Sequence, residues 1–321
     1  MKILAKKVVK FLGMIFLMLI VIITISFINH RVKSAEESKL LSAEGVMVRI
    51  SGRDIHVYCE GGGQDTLVFL SGGGTCSPML DFKSLYSLLS GRYRIGLIEK
   101  AGYGFSEDAT TSRDMETILE ESRKALQGAG LKPPYILVPH SMSGIEALYW
   151  AQKHPGEVQG IIGLDMAVPS AYEDFQVDSF LIKASSFGAR IGITRFFPGL
   201  ASGSAAIKYG TLTESEKDIY RALFYRGTLT KAMQGEIKEI KTSAKVVDNI
   251  PIPDIPMLLF ISSGEETGWD KDQWMDYQRA FIRRVKLGKS IELSASHYVH
   301  NIEPKIIADE IIIFIEDNIN Q

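Results

Sequence analysis

The chain is short of most features that would assign it at a glance. Two cysteines in 321 residues cannot frame a disulfide scaffold, and 11 Pro with 29 Gly exclude a collagen-like or low-complexity chain. No complete phosphate-loop motif is present, nor a Gly-x-Gly-x-x-Gly opening a helix. His-Glu-x-x-His is absent and neither Cys lies near a pair of His, so no metal site and no cofactor are expected. Internal repeats are missing as well. The formal net charge of −2 hides a further absence: residues 1–33 hold six Lys and Arg and no Asp or Glu. The remainder then has 30 basic against 38 acidic residues, a net of −8. An acidic body without a basic stripe is a poor partner for nucleic acid.

What is present begins at the N-terminus. Lys2, Lys6, Lys7 and Lys10 precede an uncharged run from Phe11 to Ile28, followed by Asn29, His30, Arg31 and Lys33. Eighteen such residues in a helix span about 27 Å, close to a bilayer's hydrocarbon core. A cleaved signal peptide has a shorter apolar stretch and a small-x-small site. Here Val32 and Ser34 stand beyond charged residues, so residues 1–33 read as an uncleaved anchor. The excess of Lys before the run places the N-terminus in the cytoplasm and the body outside, beyond a bacterial plasma membrane. Such a location permits disulfides, yet Cys59 ends one strand and Cys76 follows the next; on antiparallel neighbours they would lie roughly 20 Å or more apart, so free thiols are expected.

Residues 34–44 are polar and read as a linker. From there the signals alternate. Val46–Ile50 and Ile55–Cys59 form a hairpin around Ser51-Gly52-Arg53-Asp54, and Thr66–Leu70, Tyr93–Ile98, Tyr135–Val138, Val158–Leu164, Met257–Ser262 and Ser290–Leu293 read as further strands. Helical spacing separates them, at 81–89, 114–128, 142–152, 271–285 and 304–319. Apolar runs without alternation predict a mostly parallel eight-stranded sheet covered on both faces. The stretch at about 168–250 has helical segments and no strand, so it is expected to be an inserted helical cap. Its Phe180, Phe187, Phe196, Phe197 and Phe224 are expected to line a pocket or fill the cap's own core.

The most informative segment runs from Tyr135 to Ala147, where a strand ends, a Ser among small residues follows, and a helix begins at once. A Ser on such a sharp turn takes a strained conformation that raises its hydroxyl above the sheet; the plainer role is a helix cap. This segment resembles the nucleophile turn of the α/β-hydrolase family, and the resemblance extends over residues 45–321. The family pattern is Gly-x-Ser-x-Gly; Pro139 and Ser143 replace its two glycines here, around Ser141. The resemblance implies that Ser141 is the nucleophile and that His297, in the loop after the last strand, is its base, with His300 the spare. It takes the third member from Asp165 at a strand end, or from Glu265 or Glu266 after the following strand. It implies an oxyanion hole from the N–H groups of Met142 and of Gly73, in the loop Ser71-Gly72-Gly73-Gly74. That loop is not followed by Gly-Lys-Ser/Thr, which argues against a phosphate cradle. The segment Glu99 to Ser106 is similar to the family's Asp-x-x-Gly-x-Gly-x-Ser turn.

The implied activity is hydrolysis of a small-molecule carboxylic ester or amide through an acyl-enzyme. A Ser rather than an Asp at the turn sets the chain apart from family branches with a carboxylate nucleophile. Two alternatives stay open: a ligand receptor that kept the pocket without efficient turnover, and acyl transfer to an acceptor other than water.

Overall fold

In a computed structural model, residues 2–320 are described. Eight strands form one sheet: β1 (Val46–Ile50), β2 (Arg53–Glu60), β3 (Thr66–Leu70), β4 (Arg94–Glu99), β5 (Tyr135–Pro139), β6 (Val158–Leu164), β7 (Met257–Ile261) and β8 (Gly288–Glu292). Their spatial order is β1-β2-β4-β3-β5-β6-β7-β8. Only β2 runs against the direction of the others. The β1–β2 hairpin closes on Ser51 and Gly52 with φ of 49° and 82°. Positive φ at both central residues gives the turn whose twist matches the strands it joins. Because β4 lies between β2 and β3, the strands carrying and preceding the two cysteines are not neighbours, and both thiols are free.

Strands β3, β5 and β7 are buried along their whole length. Side chains alternate across a strand, so each of these feeds two cores. Leu67, Phe69, Ile136, Val138, Leu258 and Phe260 enter one face. There they meet α2 (Pro78–Asp81), α3 (Lys83–Leu89) and the C-terminal α13 (Pro304–Asn318). Val68, Leu70, Leu137, Met257 and Leu259 enter the other, against α4 (Met115–Gly128) and α5 (Ser143–Lys153). This sandwich of helix, sheet and helix leaves the C-terminal ends of the parallel strands at one rim, where ligands bind in open α/β sheets.

The chain between β6 and β7 is helical: α6 (Ser179–Arg190), α7 (Gly199–Ser202), α8 (Ala205–Lys208), α9 (Glu214–Gly227) and α10 (Lys231–Asp248). Buried ions seat it. Glu236 of α10 lies 3.2 Å from Lys100 and 3.3 Å from Arg113, and accepts from the Tyr103 hydroxyl at 2.7 Å. Glu146 of α5 takes the other side of Lys100, also at 3.2 Å. Burial disfavours the Lys100 ammonium, but these two carboxylates outweigh it and raise its pKa. After β7 come α11 (Lys271–Ile282) and the short α12 (Val299–Ile302).

Helix α1 covers Lys2–Glu37 and is long and apolar enough to cross a membrane. The linker expected to begin at residue 34 therefore starts inside this helix. The reason is local: Arg195 reaches Glu37 at 2.6 and 2.7 Å and the Ser34 hydroxyl at 3.1 Å, fixing the last turn against the body.

Candidate active site

Ser141 sits between β5 and α5 with φ of 55°. A non-glycine residue in the left-handed region is strained by about 1–3 kcal/mol and needs support around it. The support is visible. The Ser141 carbonyl accepts from the Ala167 N–H at 2.8 Å, and a Cβ on Gly144 would lie 2.2 Å from the Ala167 carbonyl oxygen. Helix and strand ends meet too closely there for any side chain. Ser143, in place of the family's last glycine, ties the turn to the end of β3. Its hydroxyl donates to the Leu70 carbonyl at 2.6 Å and accepts from the His140 N–H at 3.0 Å.

Pro139 is tolerated for a topological reason. The His140 N–H points to β3, where it meets the Leu70 carbonyl at 3.0 Å. Neighbouring strand residues point opposite ways, so Pro139 lacks its N–H on the β6 side. The β5–β6 ladder has no pair there, between Leu137↔Ile161 and the isolated bridge His140↔Leu164.

Three side chains from distant parts of the chain converge at this rim. The Ser141 Oγ lies 2.8 Å from His297 Nε2, and His297 Nδ1 lies 2.6 Å from Asp165 Oδ2. An ionised carboxylate only accepts, so Nδ1 carries the proton and Nε2 offers its lone pair to the hydroxyl. Asp165, itself at φ 46°, ends β6 and is fully buried. It accepts from the Ser262 N–H at 2.9 Å, the Ser262 hydroxyl at 2.8 Å and Gln278 Nε2 at 2.9 Å. Trp274 Nε1 stands 3.0 Å from both of its oxygens. Burial pushes the carboxyl's pKa up; the bonds from His297, Gln278 and the Ser262 N–H overcome this and hold it below its usual value.

Neither rival carboxylate reaches His297, although Glu266 lines the cavity over Ser141. Glu265 pairs with Lys271 at the surface, and Glu266 accepts from the Ser296 hydroxyl at 2.7 Å. His300, the spare histidine, is buried away from Ser141 with its Nε2 3.0 Å from Asp81 Oδ2. His140 lies between the two histidines, its ring centroid 4.6 Å from that of His297 and 4.7 Å from that of His300. Its Nε2 donates to the His297 carbonyl at 3.2 Å, joining the two loops that hold Ser141 and His297. Burial first, and then the two neighbouring imidazoles, depress its pKa well below the usual histidine value.

The glycine loop after β3 covers the turn. A Cβ on Gly72 would lie 2.8 Å from the Ser141 Cβ, and one on Gly73 would lie 2.9 Å from the Met142 Cε. Among the described residues, no backbone acceptor takes the N–H of Gly73 or of Met142. A cavity of about 370 Å³ opens over Ser141 and His297, with Tyr172, Phe175, Ile237, Ile240, Trp269 and Tyr298 among its walls. Phe175 and Trp269 stack at 5.5 Å, and Trp269 Nε1 donates to the Ala171 carbonyl at 3.0 Å. The five phenylalanines expected to line a pocket or to fill the cap's own core do not line it. Phe180, Phe187, Phe196 and Phe197 are exposed on the outer side of the inserted helices, and Phe224 is half-buried away from the cavity.

A sequence profile for the alpha/beta hydrolase fold matches residues 65–189. The uncharacterized protein YbdG of Bacillus subtilis (strain 168) is 35% identical over 306 residues, 93% of this chain and 94% of that protein. The chain belongs to the α/β-hydrolase family. Among solved structures it is similar to an alpha/beta hydrolase fold protein from Burkholderia ambifaria, at a TM-score of 0.63 and 16% identity, covering 85% of this chain and 98% of that one. A haloalkane dehalogenase loop variant (DbeA-M1) from Bradyrhizobium elkanii matches at a TM-score of 0.60 and 18% identity, over 85% of this chain and 96% of that one. At these identities the likeness is one of fold.

Proposed function

We propose that the protein is a serine hydrolase that cleaves a carboxylic ester or amide through an acyl-enzyme. The observation that carries this is the unbroken file from Ser141 Oγ to His297 at 2.8 Å and on to Asp165 at 2.6 Å, at the floor of a cavity. His297 Nε2 takes the hydroxyl proton as Oγ attacks the carbonyl carbon. The oxygen gains negative charge and settles against the N–H groups of Gly73 and Met142. His297, now imidazolium and steadied by Asp165, returns its proton to the leaving group. Water repeats the sequence on the acyl-enzyme, releasing the acid. The aromatic and aliphatic walls favour an apolar acyl or leaving group.

Ser141→Ala is expected to abolish turnover of short p-nitrophenyl esters while the melting temperature stays close to that of the parent. A fluorophosphonate probe should label the parent and not the variant. Full turnover by the variant would remove the assignment, and a parent that resists the probe would favour a receptor that merely binds its ligand.

The same reading includes the anchor: α1 crosses a plasma membrane once, with the four N-terminal Lys in the cytoplasm and the catalytic body outside. Protease added to intact cells should digest the body, and a body protected until lysis would reverse the orientation.

A further inference from the structure

From Ser179 to Thr213 the chain has four basic residues, Lys183, Arg190, Arg195 and Lys208, and no Asp or Glu. This is a cationic stretch in a body of net −8. The same stretch exposes Phe180, Leu181, Phe187, Phe196, Phe197 and Leu200, each by more than half, from 54% to 83%. Phe180 and Phe187 are seven apart on α6 and so share one face. Six large apolar side chains in water, on a segment that also exposes Lys183 and Arg190, call for a cover that is apolar inside and anionic at its edge.

The position of this segment relative to α1 identifies the cover. Ile23, Ser26, His30, Ser34 and Glu37 of α1 form a stripe at helical spacing that the body covers. Ser26 is fully buried, and its hydroxyl donates to the Ile191 carbonyl at 2.6 Å. Gly192 meets His30 so closely that a Cβ would lie 2.4 Å from its Cβ. Arg195 holds Ser34 and Glu37. The apolar run of α1 ends at Ile28, so the body's cover begins five residues inside it at Ile23, and the bond to Ile191 lies two residues inside, at Ser26. At 1.5 Å per residue these are depths of about 7.5 and 3 Å. Interfacial helices bury their apolar faces about 5–10 Å into the headgroup and acyl boundary.

We propose that residues 179–202 form a second membrane contact, lying in the outer interface of the bilayer that α1 crosses. Their aromatic side chains enter the acyl boundary, and Lys183 and Arg190 sit among anionic headgroups. This rests on the anchor reading given above. α1 alone would leave the body free to tilt. Docking of its last turns to residues 191–195, between α6 and α7, fixes the level of the catalytic domain, and the exposed phenylalanines on either side then stand near the boundary where an interfacial helix buries its own apolar face.

The test uses the full chain in vesicles of phosphatidylcholine and phosphatidylglycerol, with and without phospholipid brominated at acyl carbons 6 and 7. Four single variants are compared by tryptophan emission: Phe180→Trp, Phe197→Trp, Phe16→Trp within α1, and Leu88→Trp on α3 as an exposed apolar control. The bromolipid should cut the added emission of the first two at least two-fold and leave that of Leu88→Trp unchanged. Quenching at 16 with none at 180 and 197 overturns the proposal and leaves the anchor standing. No quenching at 16 overturns both. Blue-shifted but unquenched emission at 180 and 197 means a second protein copy covers the patch, which also overturns it.

Discussion

Replacing Asp165 by Asn isolates the part of the mechanism that depends on proton placement. The native carboxylate accepts from His297, Trp274, Gln278 and both donors of Ser262. An amide keeps one acceptor oxygen and turns the other corner into a donor. Set 2.6 Å from Nδ1, the new NH2 forces that nitrogen to accept, which moves the imidazole proton to Nε2. Nε2 then faces Ser141 with a hydrogen instead of a lone pair, and the hydroxyl has no base. In a Ser-His-Asp protease a change of this kind costs about 10⁴ in kcat, equivalent to about 5.4 kcal/mol at 1.36 kcal/mol per tenfold. Stability falls separately. Buried donors from Trp274, Gln278 and Ser262 lose a charged acceptor, each bond worth about 1.5–3 kcal/mol, and breaking a buried charged site costs about 3–5 kcal/mol. The assay is kcat on p-nitrophenyl butyrate per mole of folded protein, with calorimetry on the same preparation. Glu265→Gln, outside the cavity, is the control and should keep full kcat. A D165N enzyme within tenfold of the parent, or a matching loss in E265Q, would refute the assignment of Asp165.

Three further outcomes follow from other contacts. Gly72→Ala places a Cβ 2.8 Å from that of Ser141, so the nucleophile must shift; kcat should fall about 10²-fold, the usual cost of misplacement near 1 Å, with the fold retained on circular dichroism. Glu236→Ala strips Lys100 and Arg113 of a buried partner and should destabilise the protein by about 3–5 kcal/mol in urea unfolding; a change under 1 kcal/mol would mean that the network does not seat α10. His140→Phe addresses pH. Burial and the neighbouring imidazoles keep the native ring neutral, while the unfolded chain takes up its proton near the ordinary value of about 6.5. A group depressed in the folded state contributes stability above 6.5 that is lost as pH falls toward the folded value. The slope is at most about 1.4 kcal/mol per pH unit. Melting temperatures of parent and H140F should therefore converge as the buffer is taken from pH 7 toward 4.5, and parallel curves would contradict the neutral ring.

The sheet was legible because its strands are apolar throughout, and a run such as Met257–Ile261 fits only a strand covered on both sides. The three converging side chains were legible because a strand–Ser–helix turn, a strand-end Asp and a late His each mark a place that the topology brings to one rim. The supports of Asp165 were not. Trp274 and Gln278 stand four apart on α11, a spacing that any amphipathic helix shows, and nothing in it tells that the face they share meets a carboxylate.

The cavity walls were illegible for a different reason. Tyr172, Phe175 and Trp269, which build them, lie in short irregular connections where no period operates. The phenylalanines of the inserted helices do have helical spacing, but spacing fixes only a face and not the direction in which that face turns. An inward turn suits a body surrounded by water. It fails here because α1 is part of the chain's surroundings as well as its sequence. Ile191 and Gly192 pack on Ser26 and His30, so the end of α6 stands beside a helix long and apolar enough to cross a membrane, and under the proposed anchoring an apolar face there gains more by following that helix outward than by closing over Ser141. On this argument, phenylalanine on the cap should be required only when α1 is present. Phe196→Ser with Phe197→Ser should lower activity toward a long-chain ester held in vesicles at least five-fold and leave turnover of a short soluble ester unchanged. Equal loss on both substrates would place these rings in the catalytic fold itself.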